Sequence, residues 1–292
     1  MAEHVQAKRS ECPTPAGTLV IIGGKENKGG QPEKEEGKSE NVIELEILKS
    51  FIGYIKKKNP VIEVITSASS EGEEAFSEYR KLFKKLDIAE VRHIHHDKRE
   101  EVLNDQLTER IDQADAFFFS GGDQLKLTTL YGGTHLLTDL KNKYINSPIV
   151  IGGTSAGAMA LSTPMIYAGN KEEEQISGEI KVTTGLEFLK DACIDTHFVH
   201  RGRFVRMAQV VVSNPSCIGL GIEEDTAVVV RNGLETEIIG SGTVIVMEGA
   251  NISDTNFTNF SEKEAVSIRN ITVHILVRGD KYLIPQTNPP HK

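Results

Sequence analysis

Apolar runs alternate with helical stripes from residue 17 to residue 160. Gly17 to Ile22 (GTLVII) is apolar almost throughout and stops at Gly23-Gly24, the pattern of a strand buried on both faces. From Val42 to Ile55, apolar residues fall at 43, 47, 48, 51, 52 and 55, which predicts a helix. Val61 to Thr66 reads as a strand. Glu71 to Lys85 reads as an amphipathic helix with Phe76, Tyr79 and Phe83 on one face, and Glu90 to His93 as a short strand. Arg99 to Ile111 is expected to be one helix and Ala114 to Phe119 a strand, followed by helix from Leu125 onward and a strand over Pro148 to Ile151. Such alternation predicts an α/β fold, a parallel sheet with helices on both faces. Beyond 160 the chain is richer in strands: Ala192 to Phe198, Ile218 to Ile222, Ala227 to Val230, Thr243 to Met247 and Thr272 to Leu276. No linker interrupts the pattern, so one domain over 17–285 is expected, its sheet extended by an antiparallel part, with loose tails at 1–16 and 286–292.

Composition narrows the classes of function. The formal net charge is -9, which argues against a nucleic-acid partner, because phosphate binding needs a basic face. No run approaches the ~18 apolar residues of a membrane span. Met1 to Pro15 is polar and lacks the apolar core of a signal peptide. Three cysteines, Cys12, Cys193 and Cys217, are too few and odd in number for a disulfide framework, so a cytoplasmic location is expected. Lys25 to Glu40 is rich in Gly, Lys and Glu and reads as a mobile loop; its glycines do not spell a dinucleotide site.

The chemistry concentrates in the turn after residue 151. Gly153-Thr154-Ser155-Ala156-Gly157 fits G-x-S-x-G, the nucleophile elbow, between an apolar strand and a small-residue helix. A nucleophilic serine must project from a sharp turn, and a helix starting behind it aims free N–H groups at the reacting oxygen. In a parallel sheet, ligands bind at the carboxyl ends of the strands. Ser120-Gly121-Gly122-Asp123-Gln124 ends another strand at that same edge. A serine needs a base, and the base an orienting acid. Asp195-Thr196-His197-Phe198-Val199-His200-Arg201-Gly202-Arg203-Phe204-Val205-Arg206 offers two candidate bases, His197 and His200, and three arginines suited to an anionic ligand. Glu223, Glu224 and Asp225 are three candidate acids at a further strand end. His93, His95 and His96 form a cluster, but no Cys or carboxylate spacing supports a metal site there, and none is expected.

In this order, SGGDQ at 120–124, GTSAGA at 153–158, DTHFVHRGRFVRM at 195–207 and GLGIEEDTA at 219–227 resemble peptidase family S51, over about residues 17 to 285. That family holds the enzymes that degrade cyanophycin as well as aspartyl dipeptidases, and the arginine-rich block pulls the resemblance toward the former. It implies a three-layer α/β sandwich, related to class I glutamine amidotransferases. It also implies Ser155 as nucleophile, His197 as base and Glu224 as acid, with the N–H groups of Ala156 and of the turn near Gly122 as oxyanion hole. Gln124, Asp195, Arg201, Arg203 and Arg206 match residues lining the substrate site, and Thr196 stands where the cyanophycin-degrading members are expected to carry glutamine, with a shorter side chain and a single donor. The implied substrate is cyanophycin or a related β-aspartyl peptide, cleaved to β-Asp-Arg dipeptides. The implied assembly is a homodimer, and no metal or organic cofactor is expected. An aspartyl exopeptidase shares the chemistry with a smaller pocket. A non-catalytic binding protein on the same scaffold is disfavoured by the presence of all three triad candidates, and a generic ester hydrolase by the lack of an HGGG-type turn.

Overall fold

The computed structural model describes residues 13–28, 45–168, 180–258 and 265–285. Most of the 25–40 loop, the start of the 42–55 stripe, most of the 1–16 tail and the whole of the 286–292 tail lie outside these residues.

The first half alternates strand and helix. Strand β1 is Thr18–Ile22, helix α1 Glu46–Gly53, β2 Val61–Ile65, α2 Gly72–Lys85 and β3 Glu90–Ile94. Helices α3 (Arg99–Asn104) and α4 (Thr108–Gln113) precede β4 (Ala116–Phe119). Helices α5 (Gln124–Tyr131) and α6 (His135–Asn146) precede β5 (Val150–Thr154), and α7 spans Ala156–Ala160. The second half is mostly strand: β6 Ser162–Thr163, β7 Met165–Ala168, β8 Lys181–Thr183, β9 Leu189–Lys190 and β10 Ala192–Thr196. After helix α8 (Phe204–Ser213) come β11 Ile218–Ile222, β12 Thr226–Arg231, β13 Glu235–Gly240 and β14 Val244–Glu248. The last strands are β15 Asp254–Thr255, β16 Ile268–Arg269, β17 Thr272–Leu276 and β18 Lys281–Leu283.

Eight strands form one sheet in the order β18-β13-β12-β1-β5-β4-β2-β3. From β1 to β3 every neighbour is parallel, whereas β12, β13 and β18 add an antiparallel flank beside β1. This is the mixed α/β architecture expected. Alternation along β1 shows why the strand is apolar throughout: Leu19 and Ile21 enter the core on one face, Val20 and Ile22 the core on the other. Helices α1 and α2 supply Phe51, Tyr79 and Phe83 to the second core, where they meet Phe118 edge-on or tilted.

Three expectations need correction. The helix predicted over Arg99 to Ile111 is two helices, because Asp105 adopts an extended backbone and turns its carboxylate to His96 Nε2 at 3.1 Å. Helix after Leu125 is broken at Gly132-Gly133, and Thr134 caps the second piece by accepting from Leu137 N–H. Not all later strands extend the main sheet. A separate six-stranded sheet, β17-β14-β11-β10-β6-β9, packs its residues into the same core as the outer helices. Hydrophobic pattern reports burial, not partner, so it could not separate the two sheets.

Strand register converges on one edge. In the main sheet Ile22 pairs with Thr154, and Phe119 with Gly153. The turns after β1, β4 and β5 therefore leave side by side. In the second sheet β10 and β11 are parallel, with Thr196 opposite Ile222, so residues 197 and 223–224 also leave together.

Candidate active site

Ser155 sits between β5 and α7 with φ 50° and ψ -118°, a backbone conformation that non-glycine residues rarely adopt. The turn is tight enough to need the pentad's second glycine: a Cβ on Gly157 would lie 2.3 Å from the Phe119 carbonyl oxygen. Ser155 N–H is anchored to the Ile22 carbonyl at 3.1 Å. Its Oγ lies 2.9 Å from His197 Nε2.

His197, at the end of β10, also has a positive φ (50°), and its N–H donates to the Gly23 carbonyl at 2.9 Å. Its Nδ1 lies 2.6 Å from Glu224 Oε1. Burial pushes the imidazole below its ordinary pKa, partly opposed by the hydrogen bond to Glu224 and assisted by the charge of Arg201. Burial works against ionisation of Glu224, but hydrogen bonds from His197 and Lys25 outweigh it and hold the carboxyl below its usual range. Lys25 Nζ reaches Glu224 Oε1 at 3.2 Å.

The neighbouring candidates do other work. His200 is exposed, and Glu223 Oε2 accepts from the Val199 and His200 N–H groups at 2.5 and 3.0 Å, so Glu223 closes the turn that follows His197. Gly121 lies against Ser155, since a Cβ there would be 3.5 Å from the Ser155 Cβ, and Gly122 adopts φ 140° in the same turn. Among the described residues the N–H of Ala156, first in α7, and that of Gly122 have no backbone acceptor. Gln124 begins α5 and donates through Nε2 to the Ile166 carbonyl at 2.9 Å. Thr196 is buried, with no partner for its hydroxyl among the described residues.

Two of the three arginines of the block, Arg203 and Arg206, are buried. Asp195 is fully buried and receives Arg203 NH1 at 2.9 Å, Arg206 Nε at 2.6 Å and Arg206 NH2 at 2.5 Å. Arg203 also donates to the Thr196 carbonyl at 2.7 Å, and burial pushes its pKa down to about 10. Asp195, Arg203 and Arg206, which the resemblance matches to residues lining the substrate site, are buried and bonded to one another beside Thr196, because charges buried in protein must pair. Arg201 is the arginine of the block that stays exposed.

Two site residues escaped the sequence reading. Gly24 (φ 102°) presses on the imidazole: a Cβ there would lie 2.4 Å from His197 Cε1. Lys25 fell within the segment read as a mobile loop. The histidine cluster is knit by hydrogen bonds, with Thr66 Oγ1 2.7 Å from His93 Nε2 and 2.9 Å from His95 Nδ1. Among the described residues no group of three or more His, Cys, Asp or Glu side chains is placed to hold a metal ion, and no helix is long and apolar enough to cross a membrane.

With this geometry in place, the chain belongs to peptidase family S51, whose family model matches residues 36–238. Membership makes it a hydrolase of the serine peptidase class. More particularly, it is 31% identical over 264 residues to a cyanophycinase of Synechococcus elongatus, covering 90% of this chain and 80% of that one. It is 28% identical over 286 residues to a cyanophycinase of Trichormus variabilis, covering 97% and 92%. A solved peptidase from an acI-B1 Actinobacterium shares the fold, with a TM-score of 0.63 at 20% identity over 93% of this chain and 98% of that chain.

Proposed function

We propose that this chain hydrolyses the poly-aspartate backbone of cyanophycin, releasing β-Asp-Arg dipeptides, with Ser155 as nucleophile, His197 as general base and Glu224 as orienting acid. The observation that carries the reading is the continuous relay from Ser155 Oγ to His197 Nε2 (2.9 Å) and from His197 Nδ1 to Glu224 Oε1 (2.6 Å). Both lengths fall in the range a proton transfer needs. Ser155 attacks the carbonyl while Nε2 takes its proton. Glu224, kept ionised by hydrogen bonds from His197 and Lys25, holds the Nδ1–H tautomer and stabilises the imidazolium. His197 then protonates the leaving amine. The N–H groups of Ala156 and of the Gly121-Gly122 turn face the developing oxyanion, a contribution of roughly 3 kcal/mol per donor in such sites.

Substrate recognition rests on groups with polar atoms to spare. Arg201 and Lys25 are exposed cations beside the relay, suited to the carboxylates of an aspartyl chain. The Gln124 carbonyl is an acceptor of the kind a substrate guanidinium needs, and Thr196 offers a hydroxyl where a longer amide was expected. Asp195, Arg203 and Arg206 act behind them as a rigid support. Three further expectations enter this reading: a single catalytic unit over 17–285 from the unbroken hydrophobic pattern, a cytoplasmic location from the cysteine usage, and a homodimer from the resemblance.

The test is to incubate the purified protein with insoluble cyanophycin and with α- and β-aspartyl dipeptides, and to identify products by mass. β-Asp-Arg released from the polymer is the expected result. Cleavage of free aspartyl dipeptides alone would replace this reading by an exopeptidase.

A further inference from the structure

Residues 23–27 touch both His197 and Glu224, and reach Thr154 beside Ser155. The Gly23 carbonyl accepts from His197 N–H, and the Gly24 carbonyl from Asp225 N–H, both at 2.9 Å. Asn27 N–H donates to Asp225 Oδ1 at 2.8 Å, and Lys25 reaches Glu224. Glu26 alone turns inward. It is 4% exposed, a carboxylate that the proposed chemistry does not use. Its Oε2 accepts from Thr154 Oγ1 at 2.7 Å and its Oε1 from Tyr79 OH at 2.5 Å. Thr154 is itself 4% exposed and directly precedes Ser155.

We infer that Glu26 is a positioning residue: its buried carboxylate ties the loop that supports His197 and Glu224 to Thr154, and so fixes Ser155 relative to its base. This rests on the relay proposed above. The argument is one of geometry. Ser155 follows β5 of the eight-stranded sheet and His197 follows β10 of the six-stranded one, with Glu224 in the turn between β11 and β12; backbone bonds to Ile22 and Gly23 hold Ser155 and His197 at the end of β1, and Glu26 adds the side-chain tie. The loop after β1 lies between the two groups. Its outer atoms hold the His197–Glu224 side, and only Glu26 holds the serine side through a side chain. A charged acceptor suits this task, because charge-assisted hydrogen bonds are short and directional. Tyr79, on the far carboxylate oxygen, keeps that acceptor from rotating. Its phenol is held well above the usual range by burial and by Glu26, so it remains a donor.

The experiment compares Glu26→Gln, Thr154→Val, Thr154→Ser and the double variant Glu26→Gln/Thr154→Val. Cyanophycin hydrolysis is measured together with the rate at which a fluorophosphonate labels Ser155. Glu26→Gln and Thr154→Val should each lower kcat and the labelling rate on the order of ten-fold with KM unchanged, since small misplacements of a nucleophile are costly. Thr154→Ser, which keeps the hydroxyl, should stay close to wild type. The double variant should be no worse than the worse single, because both remove the same bond. Unchanged kcat and labelling per folded molecule in the single variants, equal damage from Thr154→Ser and Thr154→Val, or additive losses in the double variant would each overturn the inference. Should Glu26→Gln fail to fold, the Val and Ser variants at Thr154 decide alone. A wild-type protein whose Ser155 takes no label would remove the relay itself, whereas label in wild type with equal rates in the variants removes only the role of Glu26.

Discussion

Substituting Gly24 by alanine places one methyl group against the imidazole of His197. Its carbon would sit 2.4 Å from Cε1 and 2.5 Å from Nε2. Ordinary carbon contacts are about 3.5 Å or more, so the ring must retreat by about 1 Å. The loop cannot easily yield instead, because Gly23 is bonded to His197 N–H and Glu26 is anchored to Thr154 and Tyr79. A retreat of that size along the Ser155–His197 bond, now 2.9 Å, takes it beyond hydrogen-bond range. Misplacement by about 1 Å can cost on the order of 100-fold in rate. Backbone strain adds to this, since φ 102° suits glycine and alanine there costs upward of ~1 kcal/mol. In a chain of this size that lowers Tm by only about 2–4 °C. The expected result is therefore kcat down roughly 100-fold in a protein that still folds, read by product release from cyanophycin and by thermal unfolding. Gly53→Ala is the control, because a Cβ there meets nothing within 4 Å; it should leave kcat unchanged. A Gly24→Ala protein within a few-fold of wild-type kcat would refute this account of how the ring is held.

Ser155→Ala should abolish hydrolysis, by on the order of 10⁴-fold or more, with little change in Tm. His197→Ala should match that loss while His200→Ala should not, because His200 is exposed and touches Glu223 only through its backbone; equal losses in steady-state assays would undo the assignment of the base. The base works when neutral, and burial lowers the pKa of His197 from 6.5. The acid limb of kcat/KM should thus have its midpoint below 6.5, with more than half of the activity retained at that pH, and a limb centred above it would contradict the buried imidazole. Arg206→Ala should lower Tm, since it takes two donors from the buried Asp195 and leaves Arg203 as its one cation; Arg201→Ala should leave Tm unchanged and raise KM for cyanophycin.

Much of this was legible in the chain. The strand-helix alternation gave the main sheet, and its ends were placed within a few residues because Gly, Asn and Asp punctuate the apolar runs. The pairing of strands into two sheets was not legible, because alternation records which face is buried and not against what. His197 and His200 lie three apart, and Glu223 and Glu224 are adjacent; only the positive φ at His197 and the parallel register of β10 with β11 separate them. Glu26 and Lys25 sat in a Gly/Lys/Glu-rich segment whose composition resembles solvated loop, and nothing local says that one of its charges is buried. The arginine cluster did carry a signal that went unread. Arg203 and Arg206 share a helical face at a spacing of three, with Asp195 at the end of the preceding strand, which is as consistent with an internal ion pair as with an open anion site.

The serine and its proposed base belong to different sheets: Ser155 follows β5 in the eight-stranded sheet and His197 follows β10 in the six-stranded one, while Glu224 sits in the turn that joins β11 of the second to β12 of the first. Turnover is then a gauge of how well the two sheets are docked. A chain in which each sheet is formed but the seam between them is loosened keeps its secondary structure and has no peptidase. Folding intermediates would thus be silent, and proteolytic capacity would arrive only with the last step of tertiary assembly. In a denaturant titration, hydrolysis should disappear ahead of the far-ultraviolet circular dichroism signal, because the seam opens before the strands do.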